Sequence, residues 1–123
     1  MISRKAARRA ALIVLYQWDL TRQPVTSLYD GELDPYALGL AHDVIEQAKA
    51  LDERITALSD EWPAYRLGHV ERAVLRIALV ELDRGEIPVE VAISEAVALA
   101  KRFASEDAAR LVNGILGHVA RAQ

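Results

Sequence analysis

The segment from His69 to Arg84 constrains the fold more than any other part of this sequence. Read at about 100° per residue, Val70, Val74, Leu75, Ile77, Leu79, Val80 and Leu82 cover almost the whole circumference of a helix, leaving Arg72, Arg76 and Asp83 on a narrow polar strip. A helix apolar nearly all round has to be enclosed by others, so this one is expected at the centre of a helical bundle. Gly85 and the Ile87-Pro88 pair stop it. The rest of the chain agrees: alternating strand-like runs are missing, and the 4 prolines are confined to positions 24, 35, 63 and 88.

Around this centre the sequence predicts a first helix from an N-cap at Ser3 to about Leu20, then a loop from Thr21 to Asp34. Asp34-Pro35 opens a second helical region with apolar residues at Leu38, Ala41, Ile45, Ala48, Leu51, Ile55 and Leu58. That run fits one long helix or two joined near Leu51, and Pro63 ends it. Helices over about Val89–Phe103 and Glu106–Arg121 follow, the last capped by Ser105. The expectation is a single all-α domain over residues 1–123, a compact bundle of about six or seven helices.

With 123 residues and 52% hydrophobic composition the chain can bury a core unaided. The absence of cysteine rules out disulfides, thiolate metal sites and a cysteine nucleophile. No apolar run reaches the roughly 20 residues of a transmembrane helix, and Met1-Ile2-Ser3-Arg4-Lys5 does not begin a secretory signal, so a cytoplasmic protein is expected. His42, His69 and His118 lie on separate predicted helices without metal-ligand spacing, no serine sits in a nucleophile elbow, and no glycine-rich phosphate loop is present. The sequence therefore reads as a binding module that is not an enzyme and carries no metal or cofactor.

Charge is unevenly distributed. Residues 1–18 hold Arg4, Lys5, Arg8 and Arg9 and no acid, residues 19–100 hold 16 acidic against 7 basic side chains, and residues 101–123 are again basic. On the wheel of the first helix Ala7, Ala11, Val14 and Trp18 form the packing face, while Arg4, Lys5, Arg8 and Arg9 form a cationic stripe that Tyr16 joins. Such a stripe suits single-stranded RNA, with guanidiniums on phosphates and an aromatic face for bases, and it equally suits a solvated helix end.

Three further positions stand out. Glu81 falls inside the apolar arc of the central helix and needs a partner such as a buried arginine or a helix N-terminus. Glu71 reads as an acid favouring the start of its helix. Asn113-Gly114, inside the last helix, costs about 1 kcal/mol of helix propensity for the glycine. Close helix packing or close approach of a ligand would compensate, and packing is the expectation.

The run HVERAVLRIALVELDRGEIPVEVAISEAVALAKRFASEDAARLVNGILG from His69 resembles the C-terminal half of the NusB family of transcription antitermination factors. Arg4-Lys5, Arg8-Arg9 and Leu15-Tyr16-Gln17-Trp18-Asp19-Leu20 resemble the family's arginine-rich start and its LYQWDL-type segment, whereas Thr21 to Glu61 matches only in helical character. The resemblance implies two small helical subdomains and no catalysis. It implies pairing with the ribosomal protein NusE, binding of boxA RNA in ribosomal RNA transcripts, and action on the RNA polymerase elongation complex with NusA and NusG. By position, Arg4, Lys5, Arg8, Arg9, Asp107, Arg110 and Asn113 would contact RNA, and Tyr16 and Glu71 would face NusE. Some family members also self-associate, so a homodimer is among the possible partners that the resemblance implies. Leu111 stands where the family commonly has a phenylalanine and cannot stack on a base; Ser94 replaces a frequent asparagine. With the sequence ending soon after Arg121, no tail is expected to add phosphate contacts. Two other readings remain: the RNA-binding domain of an rRNA cytosine methyltransferase, which requires a longer chain, and a helical protein adaptor without specific RNA binding.

Overall fold

A computed structural model describes residues 2–60 and 62–122. Five α-helices account for most of them: α1 (Arg4–Thr21), α2 (Pro35–Leu58), α3 (His69–Arg84), α4 (Val89–Phe103) and α5 (Glu106–Ala122). Among the described residues there is no strand. The α-helices are fewer than the six or seven expected. The run after Pro35 does not break at Leu51, which is buried within an unbroken α2, and Pro24 and Pro63 each precede only a single 3-10 turn, Val25–Ser27 and Ala64–Arg66.

Helix ends fall where capping chemistry places them. The Ser3 hydroxyl accepts from the Ala6 N–H at 3.1 Å, and the Asp34 carboxylate accepts from Tyr36 and Ala37 at 2.9 and 3.3 Å, with Pro35 beginning the helix. Ser105 caps α5 through the Ala108 N–H at 3.0 Å. Gly85, at φ 66°, ends α3 in the left-handed conformation that glycine adopts without steric cost. α1 ends the same way on Arg22, a non-glycine residue at φ 57° whose guanidinium lies over the Trp18 ring at 4.0 Å.

α3 is the axis of the bundle. It packs against α1, α2, α4 and α5, and every residue from Ala73 to Leu82 is buried. α1 and α2 pack together against it as one pair; α4 and α5, joined by Ala104 and Ser105, form a hairpin that packs on it as the second pair, with α5 also touching α2. Full burial of each large aliphatic on α3 stabilises by about 1.5–3 kcal/mol, so this helix anchors both pairs around one continuous core.

Of the polar strip on α3 only Asp83 faces solvent, where it accepts from Arg54 of α2 at 2.7 Å; the two arginines are turned into the bundle. Arg76, 1% exposed, donates to Asp52 on α2 at 2.7 and 2.8 Å and to Asp19 on α1 at 3.2 Å. Arg72 donates to the same Asp19 at 2.6 Å, and His69 hydrogen-bonds it as well. Burial by itself would raise the Asp19 carboxyl, but the hydrogen bonds from His69 and Arg72 and the charge of Arg76 hold it down at about 2. Three helices are thus cross-linked through one guanidinium: Arg76 joins α3 to α1 through Asp19 and to α2 through Asp52.

Candidate nucleic-acid interface

The first turn of α1 contains Arg4 and Lys5 and no acidic residue. Cations at a helix N-terminus oppose the macrodipole, which favours negative charge there. The arrangement costs helix stability and concentrates unpaired N–H groups and positive charge in one place, as a phosphate-binding end does. Arg4 is exposed and lies with its guanidinium 3.8 Å from the centre of the Tyr36 ring. Lys5, also exposed, reaches Glu95 on α4 at 3.2 Å. Arg9 is half-buried and forms no ion pair among the described residues.

Arg8 does not belong to this stripe. Its side chain is 5% exposed and donates from Nε to Glu81 Oε1 at 2.8 Å, deep between α1 and α3. Tyr36 of α2 donates its hydroxyl to the other Glu81 oxygen. Burial opposes the charge on Arg8, but the hydrogen bond to Glu81 and its charge raise the pKa overall, so the guanidinium stays ionised. The expectation that Arg8 contacts RNA is therefore corrected. The cationic stripe and the packing face overlap on the wheel, because Arg8 sits between Leu12 and Leu15, both buried. Glu81 has found the buried arginine its position demanded. The signal for Arg8 was available in that unpaired carboxylate and not in the first helix.

On α5, Asp107 and Arg110 are exposed and pair with each other one turn apart. Asn113 is exposed and shares with Arg110 a groove of about 530 Å³ between α5 and the end of α2 at Ser59 and Asp60. No hydrogen bond or ion pair among the described residues joins these three to Arg4, Lys5 or Arg9. α4 lies between the two sets, tied to α1 through Lys5–Glu95 and packed along α5. The expectation that packing explains Gly114 is not met: a Cβ built there meets nothing within 4 Å.

Tyr16, 39% exposed, lines an apolar groove of about 330 Å³ with Leu12, Ile13, Gln17, Val70 and Phe103. Ile13, Leu20 and Phe103 are exposed beside it, a concentration of apolar surface of the kind that marks a protein contact. Ile13 and Phe103 were not singled out by sequence reasoning, since each looks like an ordinary core residue until α1 and α4 are placed side by side. Glu71 is half-buried in the first turn of α3, next to Val70, with its carboxylate folded back against Gly68.

These features define a small all-helical binding module with a cationic helix end and a separate apolar groove. The chain belongs to the NusB family, whose model matches residues 5–121. It is 40% identical over 122 residues to the transcription antitermination protein NusB of Rubrobacter xylanophilus, covering 94% of this chain and 88% of that one. It is 37% identical over 132 residues to the protein of the same name from Solibacter usitatus, covering 98% and 90%. Its fold matches NusB in the crystal structure of antitermination factors NusB and NusE in complex with dsRNA, with a TM-score of 0.84 and 29% identity over 98% of this chain and 97% of that one. No described helix is long and apolar enough to cross a membrane.

Proposed function

We propose that this protein is a transcription antitermination factor that acts in the cytoplasm by binding boxA-type RNA of ribosomal RNA operons together with NusE. It catalyses no reaction. The observation that carries the reading is the acid-free, cationic first turn of α1 in a chain of this family. Arg4, Lys5 and Arg9 hold phosphates, while Arg110, Asn113 and Asp107 on α5 continue the contact. Tyr16 presents its ring in the apolar groove to NusE, and Glu71 lies at the margin of that surface beside Val70. In this reading the assembly acts on the RNA polymerase elongation complex with NusA and NusG, by positioning RNA and partner.

The test measures binding of a boxA-like single strand, its scrambled control and its duplex form, with and without NusE, across a salt series. The boxA-like strand binds most tightly, and NusE strengthens it. Replacing Arg4 and Arg9 with alanine weakens binding and flattens the log–log salt dependence by about 0.7 per phosphate contact removed. Equal, weak binding of all RNAs with NusE binding retained would make the protein an adaptor. Tyr16→Asp places a charge in the apolar groove and is expected to weaken NusE binding by more than about tenfold. Because the ring is partly exposed, the melting temperature stays within a few degrees of wild type, as a thermal denaturation scan checks.

A further inference from the structure

Tyr36 stands where the buried and the exposed charges of α1 meet. It is the second residue of α2, half-buried, and its N–H donates to the Asp34 cap at 2.9 Å. Its hydroxyl donates to Glu81, whose other carboxylate oxygen takes Arg8. The ring is therefore fixed from inside the bundle. Burial, with the hydrogen bond and charge of Glu81, pushes the Tyr36 hydroxyl up, so the side chain is neutral near pH 7. Over this ring lies the Arg4 guanidinium, 3.8 Å from its centre.

The other cations around Tyr36 are matched by carboxylates. Lys5 reaches Glu95 at 3.2 Å, and Arg8 is paired with Glu81 and stands 3.9 Å from Glu95. Arg84, with its guanidinium carbon 5.6 Å from the same ring centre, is held by Asp43 at 2.5 Å. Arg4 forms no ion pair among the described residues. A carboxylate would hold this guanidinium and cancel its charge, whereas a neutral ring holds it by cation–π attraction and leaves the charge intact. A phosphate ligand benefits from both, because ordering a long side chain on binding lowers affinity.

We propose that Tyr36 is a positioning residue for the RNA contact: its ring, fixed by Glu81, holds the Arg4 guanidinium at the start of α1 where it meets an RNA phosphate. The inference rests on the RNA-binding reading and extends it to a residue of α2 that acts through Arg4.

Tyr36→Phe and Tyr36→Leu in the full chain test it, each alone and combined with Arg4→Ala, by thermal denaturation and by binding of the boxA-like single strand. Both replacements remove the hydroxyl, and only leucine removes the aromatic face. Both lower the melting temperature by about 5 °C or more, as Glu81 loses a donor. RNA affinity stays within about twofold of wild type for phenylalanine and falls about three- to fivefold for leucine. With Arg4 replaced by alanine, the leucine substitution costs no further affinity, the non-additivity expected of residues that act as a unit. A purely structural tyrosine predicts otherwise: phenylalanine and leucine weaken RNA binding equally, or leucine weakens it to the same extent with and without Arg4. Either result overturns the proposal, as does unchanged affinity in Tyr36→Leu. Failure of the wild-type protein to bind RNA overturns the RNA-binding reading itself, and is seen before any variant is compared.

Discussion

Arg8→Ala lowers the melting temperature by about 10 °C or more, although Arg8 lies in the most cationic part of the chain. Arg8 and Glu81 have side chains 5% and 2% exposed and face each other across the α1–α3 packing. Removing the arginine leaves a buried carboxylate with only the Tyr36 hydroxyl for company. Breaking a buried pair in this way costs about 3–5 kcal/mol, and each 1 kcal/mol moves the transition of a chain this size by about 3–4 °C. Arg9→Ala, one residue on, stays within about 0.5 kcal/mol of wild type and acts on RNA binding instead. Thermal denaturation of the two variants side by side checks the assignment. A melting temperature for Arg8→Ala equal to that of Arg9→Ala would return Arg8 to the surface stripe. The double replacement Arg8→Met with Glu81→Gln keeps an acceptor for Tyr36 and removes both charges. It is expected to recover most of the lost stability, because the desolvation cost of the pair disappears with it.

Asp19→Asn is expected to destabilise by about 3 kcal/mol, or roughly 10 °C in the same assay. The carboxylate takes hydrogen bonds from His69, Arg72 and Arg76 and joins α1 to α3; asparagine keeps the shape but removes the charge that Arg76 requires beside it. Asp52 still pairs with Arg76 from α2, which keeps the loss short of unfolding the chain. Acid titrates the same interaction. Asp19 is held at about 2 in the folded chain against an ordinary value of 3.8. Its contribution is therefore complete above about pH 4 and disappears as pH falls towards 2. Wild-type stability drops through that interval, and the Asp19→Asn protein shows a shallower drop. Parallel stability–pH curves for the two would mean that the cluster does not hold the carboxylate ionised.

The same two clusters explain what sequence reasoning could and could not reach. Helix positions were legible because the signals are local: Ser3, Asp34-Pro35, Gly85 and Ser105 act on backbone groups within a few residues. The enclosure of α3 was legible because its periodicity leaves only a narrow polar strip. Burial of Arg8 was not, since an arginine beside Lys5 and Arg9 has the same wheel angle whether its partner is a phosphate or a carboxylate 73 residues away. Glu81 was the clue: a carboxylate in an apolar arc demands a cation without naming it. Gly114 failed in the other direction. Its cost could be read from the sequence, but only the empty space above it shows that packing is not the compensation.

The sequence by itself determined that this protein is an all-helical member of its family, with α3 at the centre and positive charge concentrated at the start of α1. Periodicity, capping and charge composition are properties of neighbouring residues and survive without the fold. The tertiary structure alone decided which charges are available to a ligand. Arg8 and Arg76 are neutralised inside the bundle by Glu81, Asp19 and Asp52, while Arg4, Lys5 and Arg110 remain at the surface. It also placed Ile13 and Phe103 in one groove beside Tyr16 and left Gly114 uncovered. These outcomes depend on contacts between residues far apart in the chain, where burial makes a pairing worth several kcal/mol and exposure makes it worth almost nothing.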